Sequence, residues 1–180
     1  MLHRILWHSH HIPRHSFLMW LAARGRLSTM DRLLYLEGDK TCRLFSKDPE
    51  SHNHLFFMCS FSSQVWKIIQ DKARTQWPVL AWNSLVEWTS KRFKNTNSTS
   101  NVIGALLFAA TIYHIWQERN KRIFQNHASQ ASIVGDEILG QIREHLINCN
   151  GICITDDIRT TWNLSDPRAS IRPSGSHSIR

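Results

Sequence analysis

The most apolar stretch of the chain, residues 102–116, constrains the fold more than any other feature of the sequence. A glycine, a threonine and a histidine interrupt it, and it falls short of the roughly 20 residues that a membrane-spanning helix needs. An amphipathic pattern continues from it to Phe124. The sequence therefore predicts a long helix over residues 101–124 at the centre of a helical core.

Shorter segments with apolar residues at helical spacing lie on both sides of this helix. In the clearest, apolar side chains recur every fourth residue, at Val134, Ile138, Ile142 and Leu146. Ser84 and Glu87 have the spacing of a capping box at a helix start. The predicted helices cover residues 13–24, 28–37, 60–76, 84–93 and 132–147, and no segment alternates long enough to indicate a strand.

Basic residues outnumber acidic ones by 22 to 14, which gives a formal net charge of +8. This balance favours polyanionic partners, because each neutralised phosphate releases condensed counterions. The cations are scattered, however, and solvated helix faces explain them at least as well. The densest groups are Lys91 and Arg92, and then Arg119, Lys121 and Arg122.

The four cysteines and the first residues of the chain bear on its compartment. The N-terminal residues lack the apolar segment and cleavage site of a signal peptide. In a reducing compartment, cysteines are more often thiols or metal ligands than disulfides. We therefore expect an intracellular protein of the nucleus or cytoplasm. Five N-terminal histidines are expected to lie on its surface: His3, His8, His10, His11 and His15.

One group of residues carries chemical information, a Cys/His set between residues 42 and 59. Cys42 precedes the run Glu50-Ser51-His52-Asn53-His54-Leu55-Phe56-Phe57-Met58-Cys59. A structural zinc site needs four such ligands, commonly a close cysteine pair on one loop and a His/Cys pair further along the chain. This loop supplies three of them in suitable places.

The same segment resembles the zinc-binding region that follows the reverse transcriptase domain in plant LINE-type, non-LTR retrotransposon polyproteins. In that family an aromatic helix and a T-x-D-x-L helix precede C-x-x-C and E-[ST]-x-x-H-L-F-x-x-C. The likeness covers about residues 5–70. Its matching pieces are Phe17-Leu18-Met19-Trp20, Leu27-Ser28-Thr29-Met30-Asp31-Arg32-Leu33, Cys42, the run from Glu50 to Cys59, and Val65-Trp66.

Carried over from this family, the zinc ligands fall on Cys42, His54 and Cys59, and the fourth falls on Phe45. A phenyl ring has no lone pair to give, so the resemblance implies a Zn²⁺ site with one ligand missing. His52 would share a face with His54 in an extended segment and is therefore an alternative fourth ligand. The other interpretation is a degenerate loop in which both cysteines are ordinary buried thiols.

The likeness continues downstream, where residues 113–124 look like the I-W-x-x-R-N-x-x-x-F helix of such polyproteins. Thr161-Trp162-Asn163-Leu164 resembles the linker that leads into a ribonuclease H domain, and we expect no such domain here. The predicted fold is mainly α, a small irregular helical bundle with the Cys/His loop between short helices. The implied organisation is an N-terminally truncated zinc-binding region at 1–75, a helical connector at 76–148 and a mostly disordered tail at 149–180.

No group of residues indicates an active site, so we expect no enzyme. The sequence has no Gly-x-Ser-x-Gly elbow, no glycine-rich phosphate loop and no Tyr-x-Asp-Asp element.

The resemblance implies a non-catalytic, retrotransposon-derived module that binds RNA or single-stranded DNA, with no membrane and no small-molecule substrate. Lys91, Arg92, Arg119, Lys121 and Arg122 are its predicted phosphate contacts, and Trp20 or Trp66, where exposed, would stack on bases. The alternative is a structural or protein-interaction module, or a non-functional remnant, that binds no nucleic acid.

Overall fold

A computed structural model of the chain describes residues 3–33, 38–74 and 76–164. These residues form seven α-helices and no strand, which confirms the predicted mainly α fold. A 3-10 turn, Met30–Arg32, and a π-helical turn, His54–Met58, lie between the second and third helices. The helices are α1 (His3–Leu6), α2 (Pro13–Ala23), α3 (Ser60–Ala73), α4 (Trp82–Arg92), α5 (Thr99–Phe124), α6 (Ala131–Asn148) and α7 (Asp156–Trp162).

Helix α5 is the central element, as the sequence predicts, and α2, α3 and α6 pack against it. Every residue from 102 to 112 is buried, so this part of the helix contacts protein on all sides. Among the described residues, α5 is the one helix with the length and hydropathy of a membrane span, and 67% of its most apolar window is buried within the structure. The same burial is typical of a core helix.

The helix ends agree with the sequence at one place and differ at another. Gly25 follows α2 with a φ of 62°, the left-handed conformation that favours glycine. The predicted capping box is wrong, because α4 begins at Trp82 and Ser84 therefore lies inside the helix. The backbone N–H of Trp82 instead donates to the side-chain oxygen of Asn53, 3.0 Å away. A residue distant in sequence thus satisfies this helix start.

The C-terminal region also differs from the prediction. Residues 149–164, part of the tail predicted to be mostly disordered, contain α7, whose Ile158 and Trp162 are buried. Thr155 caps this helix, since its side chain accepts a hydrogen bond from the N–H of Ile158. The rest of the predicted tail, residues 165–180, lies outside the described residues. Residues 34–37, the last part of the second predicted helix, also lie outside the described residues, and the structure describes a 3-10 turn in its first part.

Two of the N-terminal histidines expected on the surface are buried. His8 is 7% exposed and His15 is 1% exposed. The His15 ring lies 4.6 Å from the Tyr113 ring and 5.8 Å from the His114 ring, between centroids, where α2 packs on α5. Burial lowers the pKa of His15 to about 3 and that of His8 to about 4, so both are neutral at physiological pH.

A close approach between α4 and α5 depends on a glycine. Phe93, which ends α4, is 2% exposed, and its ring lies over Gly104 of α5. A Cβ atom at Gly104 would lie 2.2 Å from this ring, well inside van der Waals contact. Only glycine fits there without movement of a buried aromatic side chain.

We expect Gly104→Ala to lower the free energy of unfolding by about 1–3 kcal/mol, because the added methyl overpacks the Phe93 contact. Gly140→Ala is the matched control, since a Cβ at this position of α6 meets nothing within 4 Å. That variant should raise stability by up to about 1 kcal/mol, through helix propensity alone. Urea denaturation of both variants measures the difference, and a stabilising Gly104→Ala would contradict the close packing.

Candidate metal centre

The first candidate ligand, Cys42, lies in a tightly closed loop. Thr41 and Pro49 form an antiparallel bridge across the base of this loop. The N–H of Cys42 donates to the carbonyl of Asp48 at 2.8 Å, which closes the loop from inside. Cys42 itself is fully buried. The short loop therefore holds the cysteine in one position without any metal.

The π-helical turn brings the other two candidates together. The N–H of Cys59 donates to the carbonyl of His54 at 2.8 Å, the five-residue step of a π-helix. Two side chains of α3 fix this turn, because Ser62 Oγ and Trp66 Nε1 donate to carbonyls within it, at 2.5 and 2.8 Å. Single π-helical turns are rare and often occur at functional sites.

Cys42, His54 and Cys59 converge on one point. One donor atom from each lies within 4.8 Å of the other two, and they form the one such group of three among the described residues. The two sulfurs are 3.8 Å apart. Two sulfurs on a tetrahedral zinc ion, each about 2.3 Å from it, are also separated by about 3.8 Å. The sulfur pair thus has the spacing that zinc needs.

The Cys42 and Cys59 thiols affect each other's protonation through a hydrogen bond. The Cys42 thiol donates a hydrogen bond to the Cys59 sulfur, which lowers the pKa of Cys59 to about 6 and raises the pKa of Cys42. Backbone N–H groups of Phe61 and Ser62 also stabilise the Cys59 thiolate, and those of Leu44 and Phe45 act on Cys42. Amides directed at both sulfurs favour the deprotonated state that metal ligation requires.

Position 45 offers no fourth donor. The Phe45 ring is 38% exposed, and the Lys47 ammonium lies 5.1 Å from its centroid. At the other side of the group, His54 Nε2 is buried and has no hydrogen-bond partner among the described residues. The residues therefore fit an ion held by three protein donors, and they do not form a closed four-ligand site.

His52 does not join the group, contrary to its predicted role as an alternative ligand. Residues 52–58 are helical rather than extended, and side chains two positions apart on a helix point about 200° away from each other. The His52 ring packs instead edge-on to Trp82, at 4.2 Å between centroids, and to Phe56 at 5.0 Å. Burial there lowers its pKa to about 4.

A buried ion pair fastens this loop to the central helix. Glu50 and Arg119 are 1% and 3% exposed, and their side chains meet at 2.8 Å. The Glu50 carboxylate also accepts the N–H of Met30 at 2.9 Å, and Arg119 donates to the carbonyl of Ser28. The pair therefore joins three segments, the Cys42 loop, the 3-10 turn and α5.

Arg119 and Arg122, two of the predicted phosphate contacts, form ion pairs inside the fold. Arg119 is committed to Glu50. Arg122 donates to Glu118 at 2.7 Å, and to the carbonyls of Leu44 and Ser129 at 2.6 and 2.9 Å. Charged runs on a helix are usually solvated, but here two of the three cations point at the loop.

The other predicted phosphate contacts are more accessible. Lys91 is exposed and pairs with exposed Glu87 at 2.7 Å. Arg92 is exposed and donates to Asn101 at 3.0 Å. Lys121 is half-buried near the end of α5. Trp66, considered for base stacking, is 5% exposed and lies in the core.

Comparison with known protein families supports the interpretation of this region as a candidate metal centre. Residues 1–66 match the model of the family described as zinc-binding in reverse transcriptase. The matched segment contains all three converging donors and ends at Trp66. No curated protein and no solved structure matches the chain.

Breaking the ion pair from one side should be costly. We expect Arg119→Ala to lower the free energy of unfolding by about 3–5 kcal/mol, because it leaves the Glu50 carboxylate buried without a partner. A double variant, Glu50→Leu with Arg119→Met, should recover part of the loss. Lys91→Ala, which removes an exposed ion pair, is the control and should change stability by less than about 1 kcal/mol. Equal losses of stability in Arg119→Ala and Lys91→Ala, measured by urea denaturation, would contradict the anchoring role of the buried ion pair.

Restoring the fourth ligand should strengthen metal binding. We expect Phe45→Cys to raise zinc affinity by at least 10- to 100-fold. Removal of a residue that only hydrogen-bonds to a metal ligand lowers metal affinity by about this factor, and a direct ligand should contribute at least as much. Cys42→Ser should abolish binding. The measurement is metal content after purification without added zinc, followed by titration against a chelator. Equal affinity in the parent chain and Phe45→Cys would show that another group completes the site.

Proposed function

We propose that this chain is a non-catalytic zinc-binding-type module, derived from a retrotransposon polyprotein, that binds RNA or single-stranded DNA. The observation that carries the proposal is the convergence of Cys42, His54 and Cys59 inside the segment that matches the reverse transcriptase zinc-binding family. The metal has a structural role in this proposal. Zinc bound to three protein donors and one outside ligand would stiffen the loop.

The charge of the chain supports the nucleic-acid partner. Arg119 and Arg122 pair with Glu50 and Glu118 inside the fold. Each of these pairs is neutral, so the other charged residues still carry the net charge of +8. Exposed Lys91 and Arg92 keep the role that the sequence predicts for them. The plant LINE-type origin belongs to this proposal as well, on the likeness of residues 113–124 and 161–164.

The second candidate is a structural or protein-interaction module without nucleic-acid binding. One observation favours it, namely that two of the five predicted phosphate contacts are used inside the fold. The absence of nucleophile, phosphate-loop and polymerase motifs supports a non-catalytic role under either candidate.

Salt dependence distinguishes the two candidates. We expect fluorescently labelled 20-nucleotide RNA or DNA single strands to bind the purified chain at low salt, with an affinity that falls steeply between about 50 and 200 mM salt, because phosphate contacts release counterions. Fluorescence anisotropy measures this directly. An uncharged peptide nucleic acid of the same sequence is the control. No complex at micromolar protein and low salt would favour the second candidate.

A further inference from the structure

The first 30 residues of the chain contain no aspartate or glutamate, although they contain four arginines. The described part of this segment includes α2, an 11-residue helix without an acidic residue. Asp31 is the first acid, and it accepts a hydrogen bond from Thr29. A helix with no negative charge nearby in sequence is suited to a polyanion.

One face of α2, extended by the residue that caps its C-terminal end, presents two aromatic rings with an arginine on either side. Arg14, Phe17, Trp20 and Arg24 recur three or four residues apart and so lie within about a third of the helix circumference. The opposite face is buried, through His15, Ser16, Met19 and Ala22. We call the first four residues the α2 stripe.

The rings of the stripe are arranged for stacking. Phe17 is 53% exposed, and its ring is nearly parallel to that of Trp20, with 24° between the planes and 6.0 Å between centroids. The guanidinium carbon of Arg24 lies 5.4 Å from the Trp20 centroid. An exposed phenylalanine in line with a half-buried tryptophan offers a flat surface that a nucleobase can extend.

The cations of the stripe have no acidic partner. Neither Arg14 nor Arg24 forms an ion pair within the described residues, and neither does neighbouring Arg26. The guanidinium of Arg32 lies beside Gly25, which adds a further positive charge at the same end of the helix. Arg119, Arg122 and Lys91, by contrast, are all paired.

We propose that the α2 stripe is the surface on which this chain binds single-stranded nucleic acid, with Phe17 and Trp20 stacking on bases and Arg14 and Arg24 holding phosphates. This rests on the proposed function and assigns its contact surface. Arg14 and Arg24 are about 15 Å apart along the helix, so the stripe spans a few nucleotides. The binding is independent of sequence, because every base has a face to stack.

A membrane surface would also attract arginines and aromatic rings, but the apolar area here is small. Phe17 is the one strongly exposed apolar ring of the stripe, and Arg24 already covers part of Trp20. Insertion of an interfacial helix depends on buried apolar area, whereas stacking on a base needs a single ring.

Two charge-matched variants of the full chain test the proposal by fluorescence anisotropy on labelled oligo(dT) and oligo(U). We expect Arg14→Gln with Arg24→Gln to weaken binding at least tenfold and to reduce the slope of log affinity against log salt by about 1.4, two phosphates at about 0.7 each. Lys67→Gln with Lys94→Gln removes the same charge from two other exposed positions and should have a smaller effect. Phe17→Ala should weaken binding by about 5- to 100-fold with an unchanged slope.

The outcomes separate this inference from the proposed function. Absence of binding by the parent chain would overturn both. Binding that survives in the α2 variants, or that Lys67→Gln with Lys94→Gln reduces equally, would overturn the stripe alone. Equal affinity for duplex and single strand would overturn the stacking role. Binding of the parent chain to phosphatidylserine vesicles without binding to oligonucleotides would assign the stripe to membranes, and circular dichroism of each variant confirms that it is folded.

Discussion

The buried ion pair between Glu50 and Arg119 is the contact on which the candidate site depends. It joins a loop in the first third of the chain to the central helix, across 69 positions of sequence. Without it, the loop that carries Cys42 would contact α5 mainly through the hydrogen bonds that Arg122 donates to the carbonyls of Arg43 and Leu44. Since a buried charge tolerates no missing partner, this pair fixes the position of the loop before any ligand arrives.

This arrangement explains how three candidate metal donors can be held in place although position 45 supplies no fourth. Small zinc fingers derive most of their folding energy from the ion, about 10–16 kcal/mol. Here the loop is closed by its own backbone hydrogen bonds and is attached to a helical core. The core also includes α5 and α6, which lie outside the segment that matches the family. The matched segment and the following helices therefore form one packed unit.

Much of the fold could be predicted from sequence, because apolar periodicity determines long helices such as α5 and α6. What the sequence could not show depends on contacts between distant residues. Asn53 caps α4 from 29 positions away, and Arg119 finds Glu50 rather than solvent. For the site, the motif predicted Cys42, His54 and Cys59 correctly as neighbours. The prediction for His52 is wrong because it requires an extended segment, whereas residues 52–58 are helical and the His52 ring packs in an aromatic cluster.

The attachment of the loop to the central helix has an evolutionary consequence. The ion pair and the backbone hydrogen bonds of the loop hold its shape with or without a metal, so substitutions at position 45 are buffered. The Glu50 carboxylate and the Arg119 guanidinium have no such freedom, because a substitution of one leaves the other charge buried without a partner. Across related chains, positions 50 and 119 should therefore vary together, while the cysteines and the histidine drift independently of them.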